Sequence, residues 1–246
     1  MKQPNIIATI LTLTLLITAC NKDSGSNNDG PMHEGTEILK DPISKKANGS
    51  FRIMTYNVGA IRKFTNADFY KDGKFQQDVA IEAMKDMFDF YGIPFTELMA
   101  KDMWVTDFGL GDFEHVGMGG IFWVNDAEYG YFAHAIYLLP GQMIPEHAHV
   151  ATDFPAKHES WMVNKGWVYN FSEVGDATPD APVIPASHGE IKSKNFVVQK
   201  VGDVLRLKEM ETFHFMMAGP EGAIVDEWAC FHDNAGLRFT NTEAAL

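Results

Sequence analysis

His147 and His149 stand two apart in GQMIPEHAHVATDFPAKHESWMVNKG, the stretch from Gly141 to Gly166. Side chains alternate across a β-strand, so in an extended segment both imidazoles face one way. After a loop containing Pro155, Lys157, Glu159 and Trp161 share one face of the next strand, and His158 points to the other. Two imidazoles and a carboxylate on neighbouring strands make a metal site with nitrogen and oxygen donors. An H-x-H pair alone is a weak signal, and it gains force from Glu159 and from a later histidine, His214 in TFHFMM. Lys157 shares the face of Glu159, which is electrostatically costly beside a cation unless the ammonium holds a substrate oxygen or stabilises an oxyanion; the alternative is a solvent-facing lysine at a loop end. Glu227, in the apolar run VDEWACF, is a second carboxylate that needs a reason to be there. It reads either as a general base near bound substrate or as a rim residue paired with Arg238.

The elements that must position these residues are mostly strands. Beyond Trp104 the sequence becomes short β-type runs punctuated by glycine and proline. They are Gly120 to Val124, Phe132 to Leu139, Ser160 to Val163, Trp167 to Phe171, Asn195 to Val201, Val204 to Leu207, Thr212 to Met217, Ala223 to Phe231 and Leu237 to Thr240. Such spacing predicts an all-β sandwich or barrel. Ahead of it, Val79, Ala83, Met84, Met87, Phe88 and Tyr91 recur at helical spacing, so Gln76 to Tyr91 reads as an amphipathic helix ended by Gly92 and Pro94. A shorter helix from Thr96 to Asp102 has Thr96 as its N-cap. TDFGLGDF, from Thr106 to Phe113, lacks the lysine and the strand–glycine–helix context of a phosphate-binding loop, and Asp107 and Asp112 are expected to cap turns.

The N-terminus reads as a targeting segment. Lys2 precedes an apolar run from Ile6 to Ile17, too short for a comfortable membrane span, and Ile17-Thr18-Ala19-Cys20 resembles a bacterial lipoprotein signal. Residues 1–19 are then the removed peptide, Cys20 carries the lipid, and residues 20–50, rich in Asn, Asp, Ser, Gly and Lys, form a flexible tether. That places the protein on the periplasmic or outer-membrane, cell-surface side, touching the membrane only through its anchor. Residues 51–104 are expected to be an N-terminal helical extension and 105–246 the β-domain. Phe51 to Val58 has a passing likeness to the opening strand of endonuclease/exonuclease/phosphatase proteins, but the further acidic and histidine motifs of that fold are not found. The formal charge of −13 argues against nucleic acid as a partner. Cys230 is the other cysteine, expected to be a small core residue.

The pattern G-x5-H-x-H-x9-E-x6-G resembles the first motif of the cupin superfamily, and His214, downstream of Gly202-Asp203, corresponds to the second. This resemblance implies a double-stranded β-helix, or jelly-roll barrel, with His147, His149, Glu159 and His214 as metal ligands. An N3O set suits Mn, Fe, Co, Ni or Zn with positions left open. Three segments narrow the likeness to the D-lyxose isomerase family: WVTDFGLGDF from Trp104, the H-x-H with Lys157-x-Glu159, and the closing Glu227 … His232-Asp233-Asn234 … Leu237-Arg238-Phe239, similar to E…N-D-D…N-R-F. The family resemblance implies manganese, Lys157 and Glu227 as catalytic residues, and Arg238 as a substrate-orienting residue. It further implies interconversion of an aldose and a ketose of the D-lyxose/D-xylulose kind through an enediolate; a homodimer is compatible with it. Val150 to Ala156 make the loop before Lys157 longer than in the family, which predicts a resized pocket, and the acid before N-R-F is replaced around Gly236-Leu237. The competing classes are another metal-dependent cupin enzyme, a dioxygenase or lyase, and a non-catalytic carbohydrate-binding lipoprotein.

Overall fold

The computed structural model describes residues 43–45, 51–53 and 61–246. The expected signal peptide, Cys20 and most of the tether lie outside the described residues. Two short strands, β1 (Ile43–Lys45) and β2 (Phe51–Ile53), pair antiparallel with each other. Then follow α1 (Asn66–Phe69), the hairpin β3 (Tyr70–Lys71) and β4 (Lys74–Phe75), α2 (Gln77–Phe90) and α3 (Glu97–Asp102). The larger sheet takes in β5 (Trp104–Thr106), β6 (Met118–Asp126), β7 (Tyr131–Leu138), β8 (His147–His149) and β9 (Glu159–Ser172). It is completed by β10 (Asn195–Lys200), β11 (Val204–Arg206), β12 (His214–Cys230) and β13 (Leu237–Phe239). All its strand pairs are antiparallel, in the order β10-β9-β12-β7-β6-β5, with β11 on β9 and β8 held between β12 and β13. This curled sheet is the cupin half-barrel, with a helical segment before it. Among the described residues no helix is long and apolar enough to cross a membrane.

Helix α2 forms where the spacing predicts and buries Ala80, Ala83, Met84, Met87 and Phe88. That face packs on the outer side of the sheet, with Phe88 meeting Tyr137 edge-on at 4.9 Å and Met84 lying over Gly119. Fully buried side chains of this size stabilise the fold by roughly 1.5–3 kcal/mol each. Thr96 caps α3 by accepting from Met99 N at 3.2 Å. Asp107 caps its turn at Gly109 N (3.0 Å) and also accepts from Tyr70 OH (2.7 Å). Asp112 accepts from Asn66 Nδ2 (2.6 Å) and from Ser187 Oγ. The TDFGLGDF segment therefore fastens the helical extension to the barrel.

Two pairs of expected strands are each one long strand. β9 runs unbroken through Gly166, and β12 runs through Gly219-Pro220-Glu221-Gly222 with register shifts after Ala218 and Ile224. Gly166 and Gly222 adopt φ of +68° and +70°, and a Cβ on Gly166 would lie 2.1 Å from Gly222 O. The two strands bend together at these glycines, so punctuation in the sequence marks a fold in the sheet and not an end. Cys230 is half-buried at the end of β12, where Sγ accepts from His158 N at 3.0 Å, instead of sitting in the core.

Candidate metal centre and active-site cavity

β8 places His147 and His149 on the inner face, and β12 places His214 directly across from His147. One ring nitrogen from each of the three lies within 4.8 Å of the others. His147 Nδ1 is held at Pro145 O (2.9 Å) and His214 Nδ1 at Thr212 O (3.0 Å), which leaves the Nε2 atoms to face inward. Ring nitrogens engaged in this way fix orientation and raise basicity at the opposite nitrogen. Glu159, at the start of β9, approaches His149 Nε2 to 3.2 Å and His214 Nε2 to 2.9 Å. Neither approach is aligned as a hydrogen bond: both nitrogens of His149, Nε2 of His214 and Oε2 of Glu159 are buried with no hydrogen-bond partner. Buried polar atoms without partners are expensive, and convergent ones lacking a proton between them fit a cation. Three imidazoles and a carboxylate converging on one point fit a divalent transition metal with open positions.

Lys157 and Glu227 stand beside this cluster. Lys157 Nζ lies 2.8 Å from Glu159 Oε1, contacts Glu227 Oε1, and sits 4.3 Å above the ring of Phe132. All three charged side chains are within about 5% of full burial, at 5%, 2% and 5% exposure. Burial pulls the Lys157 ammonium down, but Glu159 and Glu227 outweigh it and raise its pKa. Burial pushes Glu159 up, and Lys157 with the His149 and His214 imidazoles holds it well below the usual carboxylate range. Glu227 experiences the same burial, is pushed up further by Glu159, and is nevertheless lowered by Lys157 and His134. Glu227 is therefore a buried, ionised carboxylate partnered by Lys157. The expected alternative, a rim residue on Arg238, is not what the structure holds.

Among the described residues, Arg238 is the expected site residue that lies away from the cluster. It lies between Leu237 and Phe239, which line the cavity, so strand alternation turns it outward; its guanidinium is exposed and donates to Ala235 O and Leu237 O, both at 2.8 Å. His158 is likewise exposed, as its neighbour's inward direction requires. The lengthened loop does not reach the cavity wall. Val150 N donates to Gly236 O (2.8 Å), Thr152 Oγ1 to Asp233, and Phe154 packs on Phe231 (4.5 Å), so it buttresses the segment that follows β12.

The cavity is small, with a volume of about 60 Å³. Trp104, Phe122, Phe132 and Phe239 form apolar walls, and His147, His149, Lys157 and Glu227 supply a polar end. Two lining residues have no site role in the sequence reading: His134, and His232, which stands there only as part of the closing motif. His134 Nδ1 lies 3.4 Å from Glu227 Oε2, its ring stacks on Trp104 at 5.5 Å, and burial lowers its pKa. Its Nε2 occupies the space where Gly120 would carry a Cβ, at 2.3 Å. A histidine inside the apolar run Phe132 to Leu139 was the available signal. Burial, with Lys157 next in weight, pushes His232 down to about 4, so its imidazole is neutral.

No family model matches the chain. A D-lyxose/D-mannose isomerase of Thermosediminibacter oceani is 32% identical over 168 residues, spanning 67% of this chain and 88% of that protein. The chain belongs to the D-lyxose isomerase family. A D-lyxose ketol-isomerase of Cohnella laeviribosi is also 32% identical, over 61% of this chain and 82% of its own. The L-ribose isomerase of Acinetobacter sp. DL28, solved with L-ribose, superposes with a TM-score of 0.51 at 18% identity, covering 63% of this chain and 79% of that one. That of Cellulomonas parahominis with no ligand gives 0.50 at 16%, covering 68% and 92%. These two share the fold. The imidazole–carboxylate cluster and membership of the family together make the protein a metal-dependent cupin enzyme.

Proposed function

We propose that the protein is an aldose–ketose isomerase acting on an open-chain pentose or hexose of the D-lyxose/D-xylulose kind. The observation that carries this reading is the ionised Glu227, paired with Lys157, at the same cavity end as the metal cluster. His147, His149, Glu159 and His214 would hold a divalent cation, manganese being the first to try, which polarises the carbonyl and adjacent hydroxyl of the sugar. Glu227 takes a proton from the carbon next to the carbonyl and returns it to the former carbonyl carbon, passing through an enediolate, while the proton of the adjacent hydroxyl passes to the former carbonyl oxygen. Lys157 keeps Glu227 ionised and faces the developing negative charge. The aromatic walls exclude water and leave an extended sugar chain few alternative poses.

The test uses a version beginning at Gly49, loaded with Mn(II), against a panel of aldoses and ketoses, with His147→Ala as control. Turnover that survives that substitution would sink the metal assignment. Running the reaction in D2O separates routes: product without deuterium at C1 or C2 speaks for a hydride shift instead. The N-terminal reading is a separate proposal, with Cys20 as the lipidated residue after a removed 1–19 peptide and 20–50 as its tether. Incorporation of labelled palmitate that persists in Cys20→Ala would overturn it.

A further inference from the structure

We propose that His232 is a substrate-binding residue of this cavity, whose Nδ1 accepts a hydrogen bond from a hydroxyl of the bound sugar chain. The proposal rests on the isomerase reading above and names a residue through which that site recognises a polyol.

His232 follows β12 and lines the cavity. Its Nε2 lies 2.7 Å from Asn234 Oδ1, so Nε2–H donates there and Nδ1 keeps a free lone pair. That Nδ1 is buried and has no partner in the protein. The residue is held at its backbone and at its ring. Asn125 clamps its backbone twice, accepting from His232 N and donating to His232 O, each at 3.0 Å. The ring lies nearly parallel to Phe132, at 5.4 Å and 25°, and edge-on to His149 at 5.7 Å. From outside, Thr152 and Phe154 of the lengthened loop brace the neighbouring Asp233 and Phe231. A bare acceptor fixed this firmly loses little freedom when a donor arrives, which is the arrangement that binds selectively. An open-chain sugar offers a row of hydroxyl donors, and most of the remaining wall is apolar. A site built to pair with one hydroxyl also discriminates against analogues lacking it.

The test compares manganese-loaded wild type, His232→Phe and His232→Asn. Phenylalanine keeps a ring against Phe132 and removes the acceptor, whereas asparagine returns an amide oxygen near the place of Nδ1. Calorimetry with an inert pentitol and steady-state kinetics are read together, with metal content checked in each variant. The expected result is a rise of about 10-fold in pentitol Kd and in KM for His232→Phe, with kcat changed by less than about threefold. His232→Asn should recover most of the loss, and manganese content should stay at the wild-type level. Among monodeoxy sugars, one should bind worse than its parent to wild type and equally to His232→Phe. An unchanged pentitol Kd in His232→Phe overturns the proposal, as does His232→Asn binding no better than His232→Phe. If His232→Phe fails to fold, Asn234→Ala, which releases the ring, should still weaken pentitol binding about threefold, and unchanged binding there overturns it. Wild type that binds the pentitol but converts no sugar refutes the isomerase reading alone. Wild type that binds no polyol at all refutes both.

Discussion

Lys157→Met should strongly destabilise the metal-free protein. Lys157 Nζ is 2.8 Å from Glu159 Oε1 and in contact with Glu227, with all three side chains almost fully buried. At an effective dielectric of about 20, one such charge pair at this distance attracts by about 6 kcal/mol. Desolvating the ions takes back several kcal/mol, so the pair's net worth is small, but deleting one partner leaves the others uncompensated and costs about 3–5 kcal/mol. For a domain of this size that corresponds to a fall in melting temperature of roughly 10 °C. The measurement is urea and thermal unfolding of chelator-treated wild type, Lys157→Met, Glu227→Gln and the double variant. Glu227→Gln turns one of the stranded carboxylates into an amide, so the double variant should be more stable than the sum of the single losses predicts, by about 2 kcal/mol or more. A loss below about 1 kcal/mol in Lys157→Met, or strict additivity, would refute the idea that one ammonium neutralises two buried carboxylates.

Asp112 is pushed up by burial but held below its ordinary value by Asn66, Ser187 and His115, so its stabilisation is present above the unfolded pKa and is lost as pH falls through the lower folded one. Asp112→Asn should therefore be about 1–2 kcal/mol less stable than wild type at pH 7, with the gap closing toward pH 3 in urea titrations. Gly166→Ala forces a Cβ to within 2.1 Å of Gly222 O at a positive φ, and should cost at least about 3 kcal/mol in the same assay. Arg238→Ala should leave KM unchanged, because its guanidinium faces solvent; a KM raised tenfold would return it to the site. His158→Ala should retain wild-type divalent-metal content by elemental analysis, whereas His147→Ala should lose it.

The residues that converge on the metal were legible because strand alternation is rigid geometry. His147, His149, Lys157 and Glu159 face inward and His158 outward for that reason alone. The same rule, applied to β13, would have turned Arg238 outward once Leu237 and Phe239 were taken as wall residues. Its place in a motif points the other way, and the alternation prevails. His134 was hidden by its surroundings: within an apolar strand a lone histidine is ordinarily packing, and only Gly120 opposite and Glu227 alongside give it a task. The length of the loop after His149 suggests lining, whereas its hydrogen bonds run to the segment beyond β12. Helix α2 was the easiest element to read, since one apolar stripe met one sheet face. The long strands β9 and β12 look like pairs of shorter ones in the sequence, because a glycine that lets a strand bend looks the same there as one that ends it.

β8 has three residues, and its ladder partners are His214 on one side and Leu237–Phe239 on the other, both far downstream in the chain. During synthesis, at roughly 5–20 residues per second, His147 and His149 emerge on the order of 10 s before β13 exists to hold them. Half of the ligand set is thus made early and seated late. In a zinc finger the ion drives folding of the chain around it; here the barrel must close before the imidazoles have fixed positions. The inner faces of His147 and His149 therefore become a site only when the start of β12 and β13 have closed on β8.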